Sequence, residues 1–287
     1  MGFVTATAPP THFRKLQAQI HLFTAIAAAG FRRYATYRQA TVAAAFTNTI
    51  FGFLKAFVLL AVVGGAAGAL GTAAGYSGPQ LATFVWVGQG LLGVVGYWGW
   101  TDLADRIRTG EVVSDLLRPV HPVASYLATD LGRAGFGVFT RFVPPVLVGA
   151  LAFDLYRPVH WSTYPLFALS VLIAVLLSFG CRYLVNATAF WLLDARGMIL
   201  AWAIASTVLT GLVFPIRFLP DPVAIALWLG TPFPSMFQTP LDVLLERDPP
   251  LLRLGTLAVQ LAWAAGVLGL CRVVQRRAEH RLVIQGG

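Results

Sequence analysis

YPLFALSVLIAVLLSFGCRYLVN, residues 164–186, runs for 23 residues with no acid and a single basic side chain, Arg182, four positions from its end. A helix crossing a hydrocarbon layer about 30 Å thick needs about 20 such residues, so this stretch reads as a transmembrane helix. Working outward, five more apolar stretches have comparable length, and the predicted spans cover 41–70, 81–101, 134–153, 164–186, 198–216 and 251–272. Composition agrees: the 287 residues are 57% hydrophobic and 11% charged, with a mean hydropathy of +0.71, whereas about a quarter of a soluble domain is charged. The fold class is therefore all-α, a polytopic membrane protein with six transmembrane helices. Leu16–Gly30 is interrupted by Gln17, Gln19 and His21 and followed by Arg32 and Arg33, so it lacks the clean apolar core of a cleaved leader and is kept in the mature chain.

Basic residues set the orientation, because cytoplasmic loops near span ends are enriched in them. With both termini inside, fifteen of the 21 lysines and arginines are cytoplasmic: Arg14, Lys15, Arg32, Arg33, Arg38, Arg106, Arg108, Arg118, Arg133, Arg182, Arg196, Arg272, Arg276, Arg277 and Arg281. Arg157, Arg217, Arg247 and Arg253 fall outside, and Lys55 and Arg141 fall within spans. The net charge of +9 then belongs to anionic lipid headgroups at the inner surface, and nucleic acid is not a partner. Three regions follow: a cytoplasmic N-terminus over 1–40, the six-helix domain over 41–272, and a basic cytoplasmic tail over 273–287. In the first, Phe13, Leu16, Ile20, Phe23 and Ile26 recur at steps of three and four, the pattern of an amphipathic helix lying flat in the inner interface. Cys181 and Cys271 sit near cytoplasmic span ends and read as small hydrophobes, not a disulfide.

Between the second and third spans, TDLADRIRTGEVVSDLLRPVHP (101–122) holds four acids and three arginines. Thr101 or Asp102 is placed to cap a short helix there and Gly110 to end it. The longest interruption, Phe214–Pro250, is rich in proline; Val223–Gly230 is too short to cross, so short helices dipping into the outer leaflet are expected. Its acids Asp242, Glu246 and Asp248 read as solvated loop charges, with an outer cation cup as the other option.

Several signatures of chemistry fail. Gly88, Gly90 and Gly93 match GxGxxG but lie inside a continuous span with no preceding strand, so Gly90, Gly93, Gly96 and Gly99 are expected to form a helix-packing ridge instead. Neither lysine follows a glycine, so no P-loop exists and ATP is not hydrolysed here. HExxH and GxSxG are absent and the five histidines are scattered, so no catalytic or metal residues are assigned. The intramembrane cations are more informative, since each costs about 2.5 to 3.5 kcal/mol to insert. Pro144 and Pro145 beside Arg141 should kink the third span and free carbonyls toward a cavity. Two readings of Lys55 and Arg141 stay open: a cationic lining that meets an anionic or headgroup-bearing substrate, and snorkelling to lipid phosphates. No acid is expected deep in any span.

FRRYATYRQATVAAAFTNTIFGFLKAF (31–57), RTGEVVSDLLRPV (108–120) and FPIRFLPDPVAIALWLGTPFPSMFQTP (214–240) together resemble the type-2 ABC exporter permeases of the six-span branch. The resemblance implies a membrane subunit of the bacterial plasma membrane that works with two cytosolic ATPases, on which ATP and Mg reside, and with a second permease, identical or paralogous. It implies that the N-terminal helix is a connecting helix and that Asp102–Leu117 is a coupling helix, presenting Asp102, Asp105, Arg106, Arg108, Glu111, Asp115 and Arg118 toward the ATPase. It implies extracellular short helices between spans five and six. A substrate path would run between permeases, lined by the first, second and fifth spans, with Lys55, Arg141, Pro144 and Pro145 along it. The alternative, a self-contained secondary transporter or channel, would call for an intramembrane acid or histidine relay.

Overall fold

The computed structural model describes residues 12–36, 38–65, 75–118, 120–192 and 194–285, and among them there is helix but no strand. In chain order the helices are α1 (His12–Ala35), α2 (Arg38–Gly65), α3 (Gly78–Val95), α4 (Asp102–Thr109), α5 (Val112–Leu116), α6 (Pro122–Gly137), α7 (Val143–Ala152), α8 (Thr163–Ala187), α9 (Arg196–Leu209), α10 (Asp221–Gly230), α11 (Phe233–Met236), α12 (Gln238–Leu244) and α13 (Pro250–Gln285). A five-residue π turn, Val138–Phe142, joins α6 to α7 without a break. Among the described residues four segments are long and apolar enough to cross a membrane: Thr41–Ala61, Pro122–Ala152, Thr163–Phe190 and Pro250–His280.

The second and fifth expected spans are helical but short. α3 starts earlier than expected, at a capping box in which the Ser77 hydroxyl accepts from the Gln80 amide while the Gln80 side chain accepts from the Ser77 amide. It also stops early, at Gly96 with φ +67°, so its 18 residues rise about 27 Å. Gly96 and Gly99 consequently lie beyond the helix and are not part of a packing ridge. Of those 18 residues 14 are buried, which makes α3 the central post of the bundle. α9 has 14 residues, about 21 Å, and ends before Gly211, whose φ of +90° turns the chain.

The other boundaries shift outward. The third segment begins at Pro122, not at 134, because Pro122 opens a helix that Asp130 and Arg133 do not interrupt once they are paired. The sixth continues as one 36-residue helix to Gln285, so most of the predicted tail is helical. The end of the first expected span, 66–70, and residues 71–74 of the connection that follows lie outside the described residues.

The N-terminal helix is held by protein as well as whatever surrounds it. Ala27 faces Gly132 and Gly30 faces Thr129, an antiparallel register in which a Cβ on Gly132 would stand 2.0 Å from the Ala27 carbonyl oxygen. Phe31 meets Phe136 edge-on at 5.4 Å on the same seam. The N-terminal helix expected at the inner interface is thus packed backbone to backbone on α6. Within the bundle, Trp86 of α3 is wedged between Gly52 of α2 and Gly149 of α7. α8 and α13 are stitched by Gln260, which bonds both the carbonyl and the hydroxyl of Ser170 at 2.9 Å and the Ser235 carbonyl at 2.8 Å. Such interhelical hydrogen bonds replace the hydrophobic drive that lipid does not provide. Cys181 and Cys271 are buried free thiols in this seam, the latter donating to the Gly180 carbonyl.

Because overpacking costs about 1–3 kcal/mol, Gly132→Ala is expected to lower the melting temperature in detergent by several degrees. Gly135→Ala, whose Cβ would meet only the Phe31 ring at 3.8 Å, should leave it unchanged; equal melting of the two variants would refute the tight seam.

Candidate functional site

α4 is built for polarity. Acids stand in its first turn and arginines in its last, in accord with the helix dipole, and Gly110 ends it in the left-handed conformation with φ +79°. Thr101 occupies the N-cap position but its hydroxyl bonds the Asp105 carboxylate at 2.8 Å. The free amide of Ala104 is answered from α8 instead, by Asn186 Oδ1 at 3.2 Å, while Asn186 Nδ2 donates to the Trp100 carbonyl at 3.0 Å.

The seven sequence-predicted coupling residues divide into two sets. Arg106 is committed inward: Nε and Nη2 hold both oxygens of buried Asp115 at 2.8 and 3.0 Å, Nη2 also reaches Ser114 Oγ at 2.9 Å, and Nη1 reaches Glu111 at 3.2 Å. The hydrogen bond to Asp115 holds the guanidinium above its ordinary pKa. Tyr126 of α6 donates to Asp115 at 2.7 Å, Arg118 stands 3.6 Å from it, and Asp102 pairs with Arg33 of α1 at 2.9 Å. The exposed set is Asp105 and Arg108, loosely paired at 3.4 Å, with Glu111, and beside them Val113 at 50% and Leu117 at 82% exposure. A cavity of about 700 Å³ separates α4 from the 189–199 stretch, with Ile107, Arg108, Trp191 and Arg196 on its walls.

Deeper, an ionic centre joins three segments. Asp130 of α6 is 7% exposed and Arg182 of α8 is 3% exposed. Asp130 accepts from Arg133 Nε at 2.7 Å and from Arg182 Nη2 at 2.9 Å. Arg133 also donates to the carbonyls of Gly93, Val94 and Val95 at 3.0, 3.1 and 3.1 Å, closing the end of α3. Ser178 adds a bond to the Gly96 carbonyl at 2.6 Å. Two arginines assigned to the cytoplasmic side, Arg133 and Arg182, are thus buried within the bundle, and Asp130 lies near the start of a membrane-length segment, ahead of the span expected at 134–153. The missed signal was the i, i+3 spacing of Asp130 and Arg133 on one helix face directly ahead of an apolar run.

The four predicted path residues are not brought together. Lys55 donates to the Leu212 carbonyl, just past the end of α9, and lies 5.9 Å from the Phe237 ring. Arg141 sits in the π turn, with its stem laid over Gly93. Pro144 and Pro145 open α7, and the i+5 bond from the Val143 amide to the Val138 carbonyl is where the helical ladder widens to accommodate them. Gly90 likewise receives the Phe142 ring and Gly93 the Arg141 stem, so these two do serve helix packing, whereas nothing lies within 4 Å of a Cβ on Gly99.

At the opposite end, the acids read as solvated are bonded within the protein, Asp242 buried and Glu246 and Asp248 part-buried. Asp242 meets Arg217 at 2.9 Å and Asp248 meets the same arginine at 2.8 Å. Glu246, at a positive φ of +50°, accepts from Tyr156 at 2.8 Å, from the amides of Val159 and His160 at 2.9 and 3.1 Å, and from Thr163, with Arg253 at 3.9 Å. Burial alone would raise its pKa, but these donors, Thr163 foremost, pull it down to about 2. No group of three or more His, Cys, Asp or Glu among the described residues is disposed to hold a metal ion.

A bundle of membrane-length helices, braced by internal ion pairs and bearing a polar, partly exposed helix at an end, defines a polytopic membrane protein. Residues 50–286 match the family described as ABC-2 family transporter protein. The chain belongs to that family and is a membrane permease component of an ABC transporter, a class that works with ABC ATPase subunits. No curated protein and no solved structure matches it.

The Glu246 carboxyl is lowered from 4.5 to about 2, equivalent to roughly 3 kcal/mol favouring the folded state above the ordinary value. That contribution is complete at neutral pH, starts to fall below pH 4.5 and is gone below about 2. Glu246→Gln should therefore melt several degrees lower at pH 7, with the gap from wild type closing as pH falls from 4.5 toward 2; thermal melts across that range check it, and a gap constant with pH would contradict the clamp.

Proposed function

We propose that the chain is the membrane-spanning subunit of an ATP-binding-cassette exporter in the bacterial plasma membrane. Two permeases, identical or paralogous, form the substrate path, and two cytosolic ATPases carrying ATP and Mg drive it. Both termini and the α4 end face the cytoplasm, where most of the basic residues lie. The observation that carries this reading is the exposed set Asp105, Arg108, Glu111, Val113 and Leu117, mixed in charge and apolarity, on the α4–α5 pair whose other side is locked to the bundle.

The lock supplies a mechanism. A push on α4 reaches α8 through Asn186, α6 through Asp115 and Tyr126, and α1 through Asp102 and Arg33. Arg106 keeps α4 and α5 one body during the stroke. α3 is an unsuitable wall for a path between subunits, since 14 of its 18 residues are buried within the protomer. α2, exposing Val42, Phe46, Ile50 and Leu54, and α9, exposing Leu200, Ile204 and Val208, have free faces for that role. A proton relay gains little support from Asp130, because both its oxygens are held by arginines.

Co-purification with the cognate ATPase and ATP hydrolysis by the reconstituted complex test the proposal. Arg108→Glu and Glu111→Arg should each reduce transport-coupled hydrolysis by about tenfold, as expected when a charge at an interface is reversed against its partner, with melting unchanged for Arg108→Glu and lowered slightly for Glu111→Arg, which loses its exposed pair with Arg106. Arg106→Ala should instead lower stability. Cargo movement by the purified permease alone in liposomes would refute the assignment.

A further inference from the structure

A cavity of about 400 Å³ opens between α2, α3 and the π turn, with Tyr34, Asn48, Trp98, Arg133, Arg141 and Arg182 on its walls. That is room for about a dozen water molecules. Three guanidinium groups face it, and the one carboxylate bonded among them, Asp130, is already used by two of the three: Arg133 and Arg182. The balance of these four side chains is two uncompensated positive charges.

The donors are also unevenly used. Arg133 spends its guanidinium on Asp130 and the end of α3. Arg182 donates through Nε to Ser178 and through Nη2 to Asp130, leaving Nη1 with no acceptor among the described residues. Arg141 has neither a hydrogen bond nor an ion pair with any described residue, although its stem is pinned over Gly93. Guanidinium groups gathered without an anion repel one another and forgo their strongest hydrogen bonds, and planar N–H forks match the oxygens of a phosphate. Tyr34 and the half-exposed Trp98 at the rim have the amphipathic rings favoured at headgroup level.

We propose that this cavity binds a phosphate group, with Arg141 and Arg182 Nη1 as the donors that recognise it and Arg133 as a fixed positive neighbour. The group enters on an anionic phospholipid headgroup or on a small soluble phosphate. The site separates Arg141 from Lys55, which is satisfied by Leu212. It requires neither ATP nor a partner chain, so it stands or falls apart from the exporter reading.

The test uses the full chain, delipidated in detergent and then placed in mixed phosphatidylglycerol and phosphatidylcholine nanodiscs. Native mass spectrometry of released protein should show phosphatidylglycerol retained about tenfold over phosphatidylcholine, the preference one good charge-assisted contact gives. Arg141→Gln should abolish that preference and Arg141→Lys restore part of it. Arg276→Gln, which removes an exposed arginine of α13 outside the cavity, should leave it intact. In the parallel arm, inorganic phosphate or glycerol phosphate raising the melting temperature of wild type but not of Arg141→Gln identifies a soluble ligand in the same site. The proposal is overturned if neither arm shows a preference, or if Arg141→Gln and Arg276→Gln lose it equally.

Discussion

Every carbonyl left over at a helix end must find a donor, and inside an apolar layer water is not there to supply one. This constraint organises the bundle. α3 stops short, and its last carbonyls are closed by Arg133 from the third segment, with Ser178 from the fourth on Gly96. α9 also stops short, and Lys55 from the first segment donates to Leu212 just beyond its end. A cation brought in for a carbonyl must itself be tolerated. Asp130 offsets Arg133, and Arg182 then shares Asp130. Removing one member of so buried a group would cost about 3–5 kcal/mol, because its partners would be stranded.

The same bonds fix where the polar end of the molecule is attached. α4 has no side-chain cap of its own, and the amide it leaves open is answered by Asn186 of α8. Arg182 and Asn186 are one helical turn apart on α8, so the residue that helps secure α3 and the residue that secures α4 share a face. The ionic centre and the mounting of α4 are therefore parts of one structure.

Much of this was legible from sequence at the level of elements and little at the level of bonds. The fourth segment was read to within a residue or two, since 164–186 is uniformly apolar and Thr163–Ala187 is the helix. Gly110 as a stop and the short helices after Pro215 followed from local chemistry that acts within a few residues. The third segment was misplaced because Asp130 and Arg133 look like loop charges until Arg182, 52 residues away, is known to complete them. Glu246 was misread for the same reason: its donors come from 156–163, more than 80 residues earlier. Hydropathy counts a charge's cost without seeing its partner, so it errs wherever ion pairs are long-range.

Between the two bonded ends the third segment is built differently. Its α6 part is tied to α1, α3, α5 and α8, whereas α7 begins with two consecutive prolines that cannot donate to the turn before them. The π turn at Val138–Phe142 absorbs that loss, and Arg141, which makes no hydrogen bond or ion pair with any described residue, sits within it. A displacement delivered at α4, on the exporter reading, reaches α6 through Tyr126 and the ionic centre, both of which are bonded on several sides. The far end is likewise held, by Glu246 and by Arg217 with its two acids. Helices bend at prolines and at π turns, where the hydrogen-bond ladder is already widened. Of the three structural features in this segment, the paired end, the π turn and the two prolines, the last two adjoin at 138–145, so a bend in the third segment would fall there.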